Sequence, residues 1–181
     1  IGGDLKNVTE TVAQDLLTYG IVNDLTVSDV DNDGWDDIIV VGEWSDLGFL
    51  KNTNGQFKLQ SDITEQDTKG WWLSITETDI NNDGLTDYLI GNIGLNYKLH
   101  ASLEKPLKIF AEDFDQNGSN DIVLSKDYKG ISVPVRGREC SSQQMPFIKE
   151  KFKSYSEFAN ASLSDIYGDT KLKESYKKEI T

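Results

Sequence analysis

The chain has 181 residues, of which 31 are acidic and 18 are basic, and its formal net charge is −13. This charge excludes a nucleic-acid-binding surface, which needs a cluster of positive side chains. Hydrophobic residues make up 37% of the sequence, enough for a folded core. No apolar run approaches the roughly 20 residues of a membrane-spanning helix. A single cysteine, Cys140, excludes an intrachain disulfide and a cysteine-based zinc site.

The first predicted unit, about residues 10–62, is an antiparallel meander of up to four strands. An acidic segment separates its first two apolar runs. The last two runs are joined by Asn54-Gly55, a pair typical of two-residue hairpin turns. The strand-like runs are 21–30, 38–41, 49–50 and 57–59.

Two further units, about residues 70–100 and 106–140, repeat the order of strand, acidic segment and strand. Their strand-like runs are 71–80, 88–90, 107–114 and 122–124. Residues 92–106 contain several Asn and Gly residues and a proline, so we predict a long connecting loop there. The sequence therefore predicts a mainly β fold with three related units.

The last part of the chain, residues 141–181, is predicted to be helical, with two or three short helices after Pro146. Two serines begin capping boxes, with Glu157 and Asp165 as the acidic partners of Ser154 and Ser162. Gly168 is placed to end a helix. An apolar residue then recurs at every fourth position, which predicts one more helix. That stripe consists of Leu172, Tyr176 and Ile180.

The three acidic segments follow one template of nine residues. Asp or Asn occupies positions 1, 3 and 5, Gly occupies position 6, and Asp occupies position 9. The segments are Asp29–Asp37, Asp79–Asp87 and Asp113–Asp121. Ca²⁺ takes six to eight oxygen ligands, and alternate side chains in a tight turn converge on one point. The template therefore predicts up to three calcium sites, and Mg²⁺ is less suited to such irregular cages.

The predicted ligands are side chains at positions 1, 3, 5 and 9 and the backbone carbonyl at position 7. In the first loop they are Asp29, Asp31, Asp33, Trp35 and Asp37; in the second, Asp79, Asn81, Asp83, Leu85 and Asp87; in the third, Asp113, Asp115, Asn117, Ser119 and Asp121. The first loop has four carboxylates and each of the others has three. We therefore expect the first loop to bind calcium most tightly.

An EF-hand shares the first six positions but requires Glu at position 12 and flanking helices. Position 12 is Val40, Ile90 or Leu124 here, and each lies in a predicted strand. The EF-hand is thereby excluded. The remaining alternative is that the segments are ordinary Asp-Asn-Gly turns without a metal.

The loops and their flanking strands resemble the FG-GAP/VCBS repeat family, whose calcium-loop β-propeller repeats also occur in integrin α-chain heads. The matching stretches are 27–34, 78–84 and 112–118, and residues 136–152 are similar to a segment of bacterial VCBS-repeat proteins that often carry an ASPIC/UnbV domain. The resemblance implies a propeller with calcium in the loops. It also implies a secreted or surface-anchored bacterial protein.

Three units are fewer than the four or more blades of a closed propeller. We therefore expect a partial propeller of about three blades, in domains 1–140 (blades) and 141–181 (helical). The chain opens with Ile1 rather than Met, and we expect a mature or excised piece of a larger protein. Open blade edges would be covered by the helical segment or by self-association.

Two functions fit these residues. The first is an extracellular calcium-binding module without catalysis, whose ligand is a protein or a glycan. The alternative is a carbohydrate-active lyase or hydrolase, or a glycan-binding domain, that grips an acidic polysaccharide with tryptophans and arginines. Its candidate residues are Trp35, Trp44, Trp71, Trp72, Arg136 and Arg138. His100 is the only histidine and lies in the predicted connecting loop, so a histidine-dependent triad has no second candidate.

Overall fold

The computed structural model describes residues 3–60, 68–94 and 97–181. The chain divides into two compact units, Ile1–Asn96 and Tyr97–Thr181. The predicted domain limits, 1–140 and 141–181, stay a prediction. Residues 1–2, the end of the predicted first blade at 61–62, and residues 95–96 of the predicted loop lie outside the described residues.

The first unit begins with a short helix and a 3₁₀ turn and continues with six strands. These elements are α1 Thr9–Val12, the 3₁₀ turn Gln14–Thr18, β1 Ile21–Ser28, β2 Asp37–Ser45, β3 Gly48–Thr53, β4 Gln56–Gln60, β5 Gly70–Thr78 and β6 Asp87–Asn92. All pairs are antiparallel, in the order β4-β3-β2-β5-β6, and β1 pairs with β2. Strands β1 to β4 form the predicted four-stranded meander.

The hairpin between β3 and β4 has the predicted turn. Thr53 pairs with Gln56, which leaves a loop of two residues. Asn54 and Gly55 both have positive φ, 53° and 84°. Because both central residues of a type I′ turn need positive φ, the Asn-Gly pair determines the register of this hairpin.

Strand β2 is buried on both of its faces, as its apolar run predicts. On one face Val40 packs with Leu50, Tyr19 and Ala13, which come from β3 and from the segment around the 3₁₀ turn. On the other face Ile39 and Val41 pack with residues of β5 and β6. The second core therefore lies between the first meander and the strand pair that follows it.

The second unit combines one sheet with five short helices. Its elements are β7 Leu107–Glu112, β8 Asp121–Tyr128, β9 Ile131–Pro134, α2 Arg138–Gln144, α3 Phe147–Lys151, α4 Tyr155–Ala159, α5 Leu163–Tyr167, α6 Asp169–Glu174 and β10 Tyr176–Ile180. The sheet order is β10-β7-β8-β9. Phe110 and Val123 of the sheet share a core with Met145, Ile148 and Ile166 of the helical segment. The helices thus cover one face of this sheet.

The end of the chain corrects the sequence prediction. Tyr176 and Ile180 do not continue a helix after Leu172, because Tyr176–Ile180 is strand β10, paired with β7 from Tyr176↔Ala111 to Ile180↔Leu107. A spacing of four fits a helix face and equally the two-residue period of a strand. Only the open edge of β7 decides between the two.

Local signals in the helical segment are confirmed. Ser154 with Glu157, and Ser162 with Asp165, both form complete capping boxes. Gly168 ends α5 with a φ of 85°. After Pro146 the described residues form four short helices, α3 to α6, more than the two or three predicted, because short turns divide the segment; α2 lies before Pro146.

Between the last described residue of the first unit and β7, residues 97–106 form the predicted connecting loop, with a single isolated bridge between Ser102 and Lys105. The described residues form antiparallel sheets with few helices, and their strands close no barrel. This architecture is the mainly β fold predicted from the sequence and is consistent with a partial propeller.

Candidate metal centre

The three acidic loops have the same backbone conformation. Position 4 is left-handed in each, with φ of 59° at Asn32, 59° at Asn82 and 61° at Gln116. Position 6 has φ of 89°, 84° and 88° at Gly34, Gly84 and Gly118. The angles at position 6 favour glycine, whereas those at position 4 lie in the left-handed region, which Asn adopts more readily than most residues with a side chain. The sequence template therefore corresponds to one repeated loop geometry.

The aspartate at position 1 holds each turn closed. Its two carboxylate oxygens accept hydrogen bonds from the backbone N–H groups of positions 5 and 6. The distances are 3.0 and 2.9 Å at Asp29, 3.1 and 2.9 Å at Asp79, and 2.9 and 2.8 Å at Asp113. These bonds orient the carboxylates inward before any cation is considered.

The aspartate at position 9 is the first residue of the strand that follows each loop. It accepts a hydrogen bond from the N–H of position 2, at 3.3 Å for Asp37, 2.9 Å for Asp87 and 3.1 Å for Asp121. Asp37 is 0% exposed and Asp121 is 3% exposed, whereas Asp87 is half-buried. Two of the three loops therefore place an acidic side chain in the interior.

Carboxylates converge in the first and third loops. Oxygens of Asp29, Asp31 and Asp37 lie within 4.8 Å of one another, and so do oxygens of Asp113, Asp115 and Asp121. In the second loop position 3 is Asn81, whose amide donates to Asp83 at 2.9 Å, and no group of three acidic side chains as close as this occurs there among the described residues. The acidic groups of the first and third loops could hold a metal ion.

Burial raises the pKa of a carboxyl group in these loops, whereas backbone hydrogen bonds lower it. Burial, reinforced by the neighbouring Asp115 carboxylate, raises the pKa of Asp121. At Asp113 the backbone hydrogen bond from Gly118 lowers the pKa. A buried carboxylate beside a second one is unfavourable in its charged form, and a bound cation would offset that penalty.

A positive side chain outside the loop template contacts the first loop. Lys51, in β3, donates from Nζ to Asp31 and, at 2.6 Å, to Oδ2 of Asp33. This ammonium lowers the pKa of Asp33, and the two carboxylates raise the pKa of Lys51. Its position depends on the pairing of β3 with β2, so no local sequence signal could have identified it.

The donor set fits calcium better than a softer metal. Every convergent side chain offers oxygen, the ligand atom that Ca²⁺ prefers, and no cysteine or histidine takes part. The ligand roles of the side chains and of the carbonyls at Trp35, Leu85 and Ser119 stay a prediction. The backbone N–H groups of these three residues donate to the side chain of position 5, at 2.9, 2.8 and 2.8 Å.

The arginines and tryptophans of the carbohydrate alternative lie in different surroundings. Arg136 contacts Gln144 at 3.4 Å, whereas Arg138 donates to the carbonyl of Phe152 at 2.7 Å and lies over the Tyr155 ring. Arg136 lies in a bend and Arg138 at the start of α2, so the two do not project from one strand. Because each arginine contacts a different partner, the two do not form a joint binding site for an acidic group of a polysaccharide.

The tryptophans likewise form no common platform. Trp44 and Trp71 are in contact, with ring centroids 5.7 Å apart. Trp72 packs against the second core and donates from its indole nitrogen to the carbonyl of Thr68 at 2.9 Å. Trp35 is exposed in the first acidic loop. The four indole rings therefore lie in three different environments.

A scan against family models matches residues 29–90 to the FG-GAP-like repeat. The matched stretch begins at position 1 of the first loop and includes the whole second loop. This part of the chain is similar to an FG-GAP-like repeat. The FG-GAP assignment made from the sequence is thereby confirmed for these residues, while the VCBS and ASPIC/UnbV features stay a prediction.

Comparisons with curated proteins and with solved structures give no match. The third loop lies outside the matched FG-GAP-like stretch, yet it repeats the hydrogen bonds of the first two loops. Among the described residues, no helix has the length and apolar character needed to cross a bilayer.

Proposed function

We propose that the chain is a calcium-binding module of β-propeller type that binds a partner without catalysing a reaction. The FG-GAP-like repeat fits a propeller-like binding module. The observation that carries the calcium proposal is the convergence of three carboxylates in each of two loops, with one member of each group buried. The second loop has the same backbone and is proposed as a third, weaker site.

Calcium would stabilise the fold at the loops that connect paired strands. Each loop connects two paired strands, β1 with β2, β5 with β6, and β7 with β8. The ligands proposed at positions 1 and 9 lie at opposite ends of the loop. An ion held by both would hold the ends of the two strands together and offset the repulsion among the acidic side chains.

The proposed setting is extracellular or at a bacterial cell surface. FG-GAP repeats are typical of extracellular proteins, and the strongly negative charge suits a calcium-rich environment. A protein or glycan ligand, and self-association through strand edges, are proposed as partners. Exposed apolar residues along the outer strand β1 support the second of these, namely Ile21, Val22, Leu25 and Val27.

The proposal is tested by thermal unfolding in EGTA and in millimolar CaCl₂. A ligand present at about 100 times its Kd stabilises the native state by about 2.7 kcal/mol. For a domain of this size we expect the Tm to rise by about 8 °C. An equal concentration of MgCl₂ should raise it much less. An identical Tm in EGTA and calcium would contradict the proposal.

Two matched variants test whether the calcium-induced rise in Tm comes from the third loop. Asp115→Asn places in the third loop the amide that the second loop has naturally at position 3, so the backbone should be retained. Asp127→Asn removes the same charge at a turn after the third loop, where Asp127 accepts from Gly130 at 3.1 Å. We expect the calcium-induced rise in Tm to shrink in Asp115→Asn and to be unchanged in Asp127→Asn.

A further inference from the structure

Lys51 contacts two of the predicted metal ligands of the first loop. It follows Leu50, which pairs with Ile38, so its side chain begins beside the strand end at which the loop closes. Its ammonium contacts the side chains of positions 3 and 5, Asp31 and Asp33. The lysine side chain is 26% exposed, less than either aspartate.

The ammonium and a calcium ion need the same oxygens. A lysine ammonium has three donors and no acceptor, so it can contact carboxylates but cannot share the interior of the loop with a second cation. Like charges at such short separation repel strongly. Calcium can therefore take the oxygens of Asp31 and Asp33 only after Lys51 has moved away.

In the second and third loops, no described lysine contacts the carboxylates of positions 3 and 5. In the third loop Lys171 donates to the backbone carbonyls of Asp113 and Phe114, at 3.2 and 2.7 Å, and these contacts leave the side-chain carboxylates available. In the second loop the neutral amide of Asn81 donates to position 5. A lysine on the carboxylates of positions 3 and 5 thus distinguishes the first loop.

We propose that Lys51 is a tethered competitor of the metal in the first loop, an inference that rests on the calcium site of the proposed function. In the absence of calcium its ammonium contacts two of the four carboxylates, offsets one of their negative charges and holds the loop closed. Calcium must displace it, so the first loop binds calcium more weakly than its four carboxylates predict. The positive charge of Lys51 offsets the one additional carboxylate that the first loop has over each of the other two.

The test is calcium titration of the full chain as wild type, Lys51→Met and Lys58→Met. Methionine keeps most of the length of the side chain and removes the charge. Lys58 lies opposite Lys51 across β3 and β4 and is exposed, so its substitution makes the same charge change nearby without removing the contacts of Lys51 with the loop. Calorimetry measures affinity, and the amide resonances of Gly34, Gly84 and Gly118 identify the loop that responds.

We expect Lys51→Met to increase the calcium affinity reported by Gly34 about tenfold, the equivalent of about 1.4 kcal/mol. The affinities reported by the other two glycines should not change, nor should any affinity in Lys58→Met. In EGTA the Tm of Lys51→Met should fall below that of the wild type, and in saturating calcium this difference should disappear. A merely structural lysine would lower the Tm equally in both buffers.

Calcium binding with no difference between the two variants at Gly34 would overturn the role of Lys51 and leave the proposed function intact. A lower affinity in Lys51→Met would overturn it as well. If no variant binds calcium, the proposed function fails together with this inference.

Discussion

At the scale of single residues, Asp37 joins three parts of the first unit. Its Oδ1 accepts from the N–H of Asn52 at 2.7 Å, and its Oδ2 accepts from the N–H of Val30. The side chain of Asn52 donates to the carbonyl of Asp36 and accepts from the N–H of Gly55, each at 2.8 Å. The acidic loop, β2 and the β3–β4 hairpin are therefore connected through one buried carboxylate.

Asp37→Ala should destabilise the protein even without calcium. The substitution leaves the buried N–H of Asn52 without its acceptor, which costs about 2 kcal/mol. Urea denaturation in EGTA measures the loss. Asp36→Ala removes the same charge from the adjacent, exposed residue and should change stability by less than about 0.5 kcal/mol. Equal losses in the two variants would show that charge, rather than this hydrogen bond, is responsible.

At the scale of elements, the short helices of the second unit depend on their caps and on the core beneath them. Helix α5 has only five residues, too few to be stable alone. Ser162 caps it by accepting from the N–H of Asp165 at 3.1 Å, and Asp165 accepts from the N–H of Ser162 at 2.9 Å. Leu163, Ile166 and Tyr167 of the same helix are buried in the core.

Ser162→Ala should therefore lower the free energy of unfolding by about 1 kcal/mol. Ser164→Ala, an exposed site within the same helix, is the control and should have little effect. Both are measured by urea denaturation followed by circular dichroism. If Ser164→Ala destabilises as much as Ser162→Ala, the cap is not the cause.

Acid should reduce the difference between wild type and Ser162→Ala. The hydrogen bonds from Ser162 lower the pKa of Asp165. A carboxyl with a lowered folded-state pKa contributes stability above its unfolded pKa, and this contribution is lost as the pH falls through the folded value. The same denaturation series repeated at decreasing pH checks this direction.

At the scale of the whole molecule, the excess of acidic residues opposes folding. A net charge of −13 on a chain of this size creates self-repulsion in the compact state. Two acidic groups each concentrate three carboxylates within 4.8 Å. Screening by salt and neutralisation by calcium should both relieve this repulsion.

In EGTA, raising NaCl from about 20 to about 200 mM should increase the Tm by about 3 °C, because the Debye length shortens from over 20 Å to below 10 Å. In saturating calcium the same change should have a smaller effect, since the bound ions already neutralise part of the charge. KCl should act like NaCl. A salt effect of the same size in calcium and in EGTA would contradict this account.

Much of the candidate site follows from local sequence. The loop template, the positive φ at Gly34 and its counterparts, and the hairpin at Asn54-Gly55 are determined by neighbouring residues, and the structure contains all of them. The contact of Lys51 with the first loop and the pairing of β10 with β7 could not be predicted in this way. The first depends on strand register and the second on an available strand edge, and both are contacts between distant parts of the chain.

Short stretches of sequence are enough to predict the repeated loops, the strands beside them, the helix caps and the FG-GAP-like character of residues 29–90, because each depends on neighbouring residues. Contacts between distant segments, in contrast, set which carboxylates converge, the burial of Asp37 and Asp121, the strand that the chain end forms on β7, and the contact of a lysine with the first loop. The physical reason is that burial and ion pairing are set by pairing and packing between segments, whereas turn geometry is set by the steric limits of each residue's own backbone.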